Sequence, residues 1–68
     1  MNIGERINKL RIANKRTLKE ESEIFNVSLN TVYRWEHNLC IPRKSALMRI
    51  AEFYNVSVEW ILHGVGLA

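Results

Sequence analysis

Apolar residues recur along this chain at intervals of three and four, a spacing that places them on one face of an α-helix. The pattern predicts five helices, over residues 2–14, about 17–25, about 28–37, 44–54 and 57–64. No stretch combines alternating apolar and polar residues with flanking turn signals, so we predict no strands. The pattern therefore indicates a single all-α domain over residues 1–68.

The ends of the two central helices are marked by residues that can satisfy backbone groups. Thr17 and Glu20 have the spacing of a capping box, and Ser28 is a favourable N-cap. Asn26 lies between them, where a residue that tolerates the left-handed conformation can end a helix. These signals predict two short helices joined by a tight turn, and the same Asn-Val-Ser junction recurs at residues 55–57.

The predicted helix over residues 28–37 has two chemically different faces. At about 100° per residue, one face carries Thr31, Val32, Trp35 and Glu36. The opposite face carries Leu29, Asn30, Tyr33, Arg34 and His37. The first face can pack inward through Val32 and Trp35, and the second offers hydrogen-bonding groups that suit base edges and phosphates. The alternative interpretation of the second face is an ordinary solvated helix surface.

The charge of the chain is distributed unevenly. The net charge is +3, and all ten Lys and Arg residues lie in residues 1–49, together with five of the seven acidic residues. Residues 50–68 carry two Glu and no basic residue. This asymmetry favours a polyanionic partner, either nucleic acid or an anionic membrane, and does not choose between them.

The segment over residues 37–43 is predicted to be a loop, because Pro42 disfavours helix for the residue before it. We expect Leu39 and Ile41 to turn into the core and Cys40 to be a small, partly buried residue. A single cysteine cannot form an internal disulfide, so a reducing cytoplasmic location is expected. No apolar run exceeds three residues, so neither a transmembrane span nor a signal-peptide core is expected.

Other chemistry has little support in the sequence. His37, Cys40 and His63 do not have the spacing of a zinc site, which needs about four converging ligands. There is no glycine-rich phosphate loop and no pairing of a nucleophile with a base. We therefore predict a protein that is not an enzyme and that has no metal, cofactor, membrane or evident small-molecule ligand.

Three segments carry a more specific signal. The first reads Ile-Gly-Glu-Arg-Ile-x-Lys-Leu-Arg from Ile3, the second Val-Ser-x-x-Thr-Val-x-Arg-Trp-Glu from Val27, and the third Asn-Val-Ser-Val-Glu-Trp-Ile-Leu-x-Gly from Asn55. With Pro42 between the last two, they resemble the Cro/repressor-type (XRE-like) family of helix-turn-helix DNA-binding proteins. The resemblance implies a compact five-helix lambda-repressor-like domain, in which helix 2 crosses the DNA backbone and helix 3 enters the major groove.

The resemblance also implies which residues touch DNA. Base readout falls by position to Leu29, Asn30 and Arg34, since Asn can pair with adenine, Arg with guanine, and Leu can meet a thymine methyl. The implied backbone contacts, at both helix N-termini and after helix 3, are Thr17, Leu18 through its N–H, Ser28, Tyr33, Asn38, Arg43 and Lys44. For Arg43 and Lys44 the alternative is plain surface charge.

One implied interaction is structural, and three positions depart from the family pattern. Arg11 and Glu36 stand where the family has a partly buried ion pair that links helix 1 to helix 3. Leu18 replaces a usual Gln, Glu21 replaces a usual core Leu, and Arg16 replaces an apolar residue. Either helix 2 packs differently, with Leu18 taking part of the burial, or Glu21 turns to solvent.

We therefore expect a sequence-specific regulator of transcription, a repressor, that binds double-stranded DNA as a homodimer on a two-fold symmetric operator. The alternative is an antitoxin-like or transcription-machinery interaction module with the same fold. The dimer contact is expected to use the last helix and its flanks, through Val58, Trp60, Ile61, Val65 and Leu67. In the competing interpretation, Trp60 and Ile61 belong to the core.

Overall fold

The computed structural model describes residues 1–66 and contains five α-helices in that range. They are α1 Ile3–Ala13, α2 Leu18–Phe25, α3 Leu29–Glu36, α4 Lys44–Tyr54 and α5 Val58–His63. Each helix lies within about one residue of its predicted bounds, and residues 1–66 contain no strand. The predicted all-α class is therefore confirmed.

The helix ends are fixed by the side chains that the sequence indicated. Thr17 and Glu20 form a complete capping box at α2, and the Ser28 hydroxyl accepts a hydrogen bond from the Thr31 N–H at α3. Asn26 ends α2 in the left-handed conformation, with φ 55°, and Asn55 ends α4 in the same way, with φ 57°. Interactions between neighbouring residues therefore determine the turn between α2 and α3, which is why the sequence alone predicts it.

A single apolar cluster joins the five helices. Its buried members are Ile7, Phe25, Val32, Trp35, Leu47, Ile50, Ala51 and Ile61. Ile61 is 0% exposed, so its side chain has no surface to offer a second subunit. Its assignment to a dimer interface is therefore wrong, and its place is in the core.

The loop after α3 turns its apolar side chains outward, contrary to expectation. Leu39 is 65% exposed and Ile41 is 67% exposed, and Cys40 is also exposed. The cause lies in the backbone, because the N–H groups of Leu39 and Cys40 both donate to the Arg34 carbonyl, at 2.9 and 3.3 Å. The loop therefore folds back over the end of α3, and Pro42 is its buried residue.

Glu21 takes a position that neither sequence interpretation foresaw. It is 1% exposed, and its carboxylate accepts a hydrogen bond from the Tyr54 hydroxyl on α4. Burial raises the pKa of the Glu21 carboxyl, and burial also raises the pKa of the Tyr54 phenol. Leu18 is half-buried against the core as well, so α2 buries both side chains instead of exchanging one for the other.

Arg16, which replaces an apolar residue of the family pattern, also packs against the rest of the protein. Its guanidinium carbon lies 4.9 Å from the centre of the Phe53 ring, which is within range of a cation–π interaction. The Arg16 carbonyl accepts a hydrogen bond from Arg11 Nη1 at 2.9 Å. The charged end and the backbone of Arg16 thus tie the turn after α1 to both α4 and α1.

Candidate nucleic-acid interface

The outer face of α3 presents the five side chains that the helical pattern assigned to it. Leu29 is 47% exposed and Tyr33 is 41% exposed, and Asn30, Arg34 and His37 are exposed too. The opposite face is held by buried Val32, Trp35 and Glu36, with Thr31 half-buried. A rigid inner seam therefore supports an exposed polar ridge, as predicted.

The C-terminal half of α3 is anchored to α1 by the ion pair that was expected between Arg11 and Glu36. Arg11 Nε lies 2.7 Å from Glu36 Oε2, and Arg11 Nη2 lies 3.1 Å from Glu36 Oε1. Asn8 Nδ2 donates to the same carboxylate at 2.8 Å. The hydrogen bond to Glu36 raises the pKa of the Arg11 guanidinium. Because this two-point contact has a defined direction, it limits rotation of α3 relative to α1.

A second contact between α1 and the end of α3 depends on Gly4. A Cβ atom at this position would lie 2.5 Å from the Glu36 carbonyl oxygen and 2.6 Å from that of Trp35. The Gly4 N–H donates to Asn38 Oδ1 at 3.0 Å, so a hydrogen bond accompanies the close approach of α1 to the end of α3. The sequence interpretation gave Gly4 no role. A glycine inside a helical pattern was nevertheless a signal that the position could have a packing role.

The side chain of Asn38 takes part in this contact. Besides accepting from Gly4, it donates from Nδ2 to Asn2 Oδ1 at 2.9 Å, and its backbone is left-handed, with φ 58°. The amide is therefore used to join the loop to the start of α1. Asn38 is exposed and its Nδ2 carries a second N–H, so its expected phosphate contact stays a prediction.

The N-termini of α2 and α3 each have backbone donors without an acceptor inside the helix. The first N–H groups of a helix have no acceptor within it, and Leu18 and Leu29 occupy those positions in α2 and α3. At α3 the Ser28 hydroxyl lies 2.8 Å from the Thr31 hydroxyl, and Thr17 caps α2. Both helix starts could therefore donate to a bound anion.

Three exposed basic side chains on and after α3 have no salt bridge to a carboxylate. Within residues 1–66 the Arg11–Glu36 pair is the one salt bridge, so Arg34, Arg43 and Lys44 have none. Arg43 precedes α4 and makes no side-chain capping bond, and both it and Lys44 are exposed. Their charge is available to a polyanion.

His37 follows α3 and contacts Tyr33, an interaction that was not predicted from the sequence. Its ring stacks on Tyr33, with centroids 3.9 Å apart and planes inclined by 23°. His37 Nδ1 lies 2.8 Å from the Tyr33 carbonyl oxygen. The spacing of four residues was the available signal, since it brings side chains together on a helix.

The remaining dimer candidates lie at the other end of the chain. Val58 and Trp60 are half-buried and pack against the core, and Val65 is 56% exposed. Leu67 lies outside the residues that the structure describes. Val58, Trp60 and Val65 each keep some exposed surface, and the dimer contact stays a prediction.

None of the five helices in residues 1–66 has both the length and the apolar character needed to cross a membrane. In the same part of the chain, His, Cys, Asp and Glu side chains form no group of three that could hold a metal ion.

Comparison with known proteins defines the class of this fold and site. A family model described as a helix-turn-helix domain matches residues 4–67, and the chain therefore belongs to the helix-turn-helix domain family. This membership confirms the family resemblance found in the sequence.

Two individual proteins illustrate that membership. The HTH-type transcriptional regulator ImmR of Bacillus subtilis (strain 168) is 29% identical over 62 residues, which cover 91% of this chain and 49% of that protein. The chain thus spans about half the length of this curated relative. The P22 c2 repressor protein, solved in complex with synthetic operator 9T in the presence of Tl+, superposes with a TM-score of 0.89 and 23% identity, over 96% of this chain and 98% of that one. The likeness shows the same fold and confirms the expected repressor-like architecture.

Proposed function

We propose that this chain is a sequence-specific, double-stranded DNA-binding regulator of transcription that acts as a repressor. The observation that carries the proposal is the outer face of α3, where Asn30 and Arg34 are exposed on a helix held by the Arg11–Glu36 pair. The names of ImmR and of the P22 c2 repressor add support. The proposal involves no catalytic step, and it implies a cytoplasmic location.

The base contacts in this proposal come from the start of α3, which enters the major groove. Asn30 can make two hydrogen bonds to adenine, and Arg34 can make two to guanine. Leu29 can contact the methyl group of thymine. Each good two-bond pair contributes about 1–3 kcal/mol of discrimination against the wrong base, so these three residues would carry most of the sequence preference.

The backbone contacts surround that face and fix its register. They come from Thr17, the Leu18 N–H, Ser28, Tyr33, Arg43 and Lys44. Helix N-termini and free cations both favour phosphate oxygens. Asn38, whose amide also bonds to Gly4 and Asn2, can contribute its second Nδ2–H.

The proposal includes a homodimer on a two-fold symmetric operator. One domain with one reading helix contacts few base pairs, and two copies on half-sites about 34 Å apart would double the contacts on one face of DNA. The proposed subunit contact uses Val58, Trp60 and Val65, together with Leu67. Analytical ultracentrifugation with and without operator DNA tests this part separately.

Selection of bound sequences from a random DNA pool tests the function. We expect enrichment of an inverted repeat, with affinity whose logarithm falls with log salt by about 0.9 for each phosphate neutralised. Arg34→Ala should relax the preference at one base pair of this selected sequence. Lys9→Ala is the charge-matched control, because Lys9 is exposed on α1 outside the proposed contacts. Recovery of no preferred sequence, together with binding that salt does not weaken, would favour the alternative of a protein-interaction module.

A further inference from the structure

His37 is the C-cap of α3 and continues the exposed face of that helix. With successive residues turned by about 100°, Leu29 and Arg34 mark the two edges of this face. His37 projects between Tyr33 and Asn30. It also lies seven residues after Asn30, or about 10 Å along the helix axis. If the start of α3 reads base edges, this distance brings His37 to the edge of the groove, where the phosphates are.

The hydrogen bond to Tyr33 determines which imidazole nitrogen carries a proton. A carbonyl oxygen can only accept, so His37 Nδ1, at 2.8 Å from the Tyr33 oxygen, must donate. In the neutral ring the other nitrogen, Nε2, is then a bare acceptor. The stack on Tyr33 holds the ring in this orientation.

A bare acceptor cannot bond a phosphate, because phosphate oxygens also only accept. Moving the single proton to Nε2 would break the bond to the Tyr33 carbonyl. Uptake of a second proton from water leaves that bond intact and turns Nε2 into a charged donor. His37 is the C-cap of α3, and its ring stays stacked on Tyr33.

We propose that His37 is a proton-dependent phosphate contact, in which DNA binding takes up one proton at Nε2 of each subunit and release returns it to water. This inference rests on the proposed DNA-binding function. It makes operator affinity increase as the pH falls, because binding takes up a proton.

The titratable and charged residues next to His37 along α3 are Tyr33, Arg34 and Glu36. Glu36 is bonded to Arg11, and Arg6 donates to the Ile61 carbonyl at 3.0 Å. In residues 1–66 no carboxylate lies within salt-bridge distance of the His37 ring, so phosphate would be its first anionic partner.

The test measures affinity for the selected operator by fluorescence anisotropy at about pH 8 and about pH 6, each over a range of salt. For wild type we expect binding on the order of tenfold tighter per subunit at the lower pH. The salt slope should also steepen by about 0.9 per subunit, because one more phosphate is neutralised. His37→Gln should lose both effects, and His63→Gln is the matched control that should keep them.

A permanently charged variant separates this contact from a structural role. His37→Lys should bind with the steeper salt slope at both pH values and show little pH dependence. Persistence of the wild-type pH dependence in His37→Gln, or equal salt slopes for wild type at the two pH values, would overturn the inference alone. Absence of sequence-specific binding at either pH would instead overturn the proposed function and this inference with it.

Discussion

The Tyr54 hydroxyl on α4 donates a hydrogen bond to the carboxylate of Glu21 on α2, and Glu21 is 1% exposed. This bond places an ionisable group in the part of the core under the helix-turn-helix. Arg11 and Arg16 act on the carboxyl from nearby, and Glu36 opposes them. The Glu21–Tyr54 pair links α2 to α4, the two helices on either side of α3 in the chain. The stability of this pair therefore affects how firmly the proposed DNA-reading helix α3 is held.

Replacing this pair by apolar residues should stabilise the protein. In Glu21→Leu combined with Tyr54→Phe, the desolvation of the carboxylate is removed and the volume is largely retained, so we expect a gain of about 1–2 kcal/mol in the free energy of unfolding. Tyr54→Phe alone should destabilise, because it leaves the buried carboxylate without its donor. Urea denaturation measures both, and a double variant less stable than Tyr54→Phe would contradict the explanation.

The same carboxyl should make stability depend on pH in a defined direction. Burial raises the pKa of Glu21 in the folded state, so the folded protein binds this proton more strongly than the unfolded chain does. Stability from this group is therefore fully present below the unfolded pKa, about 4.3, and is lost as the pH rises through the raised value. Relative to Glu21→Gln, wild type should lose free energy of unfolding between these limits. Parallel curves for the two proteins would disprove this.

Breaking the ion pair that anchors α3 should weaken the fold. Glu36→Gln leaves the Arg11 guanidinium without its anion, and Arg11 has a side chain that is 16% exposed. Because that exposure lets water compensate in part, we expect a loss near the lower end of about 3–5 kcal/mol. Glu52→Gln is the control, since Glu52 is exposed on α4. Equal urea midpoints for wild type and Glu36→Gln would show that the pair contributes no net stability.

Gly4→Ala should destabilise, although alanine normally favours a helix over glycine by roughly 0.5–1 kcal/mol. The added Cβ would come within 2.6 Å of two backbone carbonyl oxygens of α3, and backbone cannot move aside as a flexible side chain can. We expect a net loss of about 1–3 kcal/mol, the usual range for overpacking. Lys9→Ala, at an exposed position of the same helix, should change thermal stability little. A Gly4→Ala protein that melts at or above the wild-type temperature would contradict the close approach.

The features that sequence analysis predicted are those that nearby residues determine. The helix bounds follow from caps such as Thr17 and Ser28, and the two faces of α3 follow from its periodicity. Contacts between distant residues were not predictable in this way. Glu21 is buried because of a partner 33 residues later, and Asn38 bonds to the start of α1 because its amide meets Gly4. A single sequence contains no local signal for either pairing.

The two arginines proposed to contact DNA should differ in what they contribute. Arg34 lies on the outer face of α3 and Arg43 precedes α4, so the first would read a base and the second a phosphate. Arg34→Ala should cost about 1–3 kcal/mol on the preferred operator and relax the preference at one base pair per half-site. Arg43→Ala should weaken all sequences alike and reduce the salt slope by about 1. Competition binding with operators altered at single base pairs separates the two effects, because only loss of a base contact changes the ranking of sequences. A uniform loss from Arg34→Ala would mean that its guanidinium binds the backbone, and base recognition would then depend on Asn30 and Leu29.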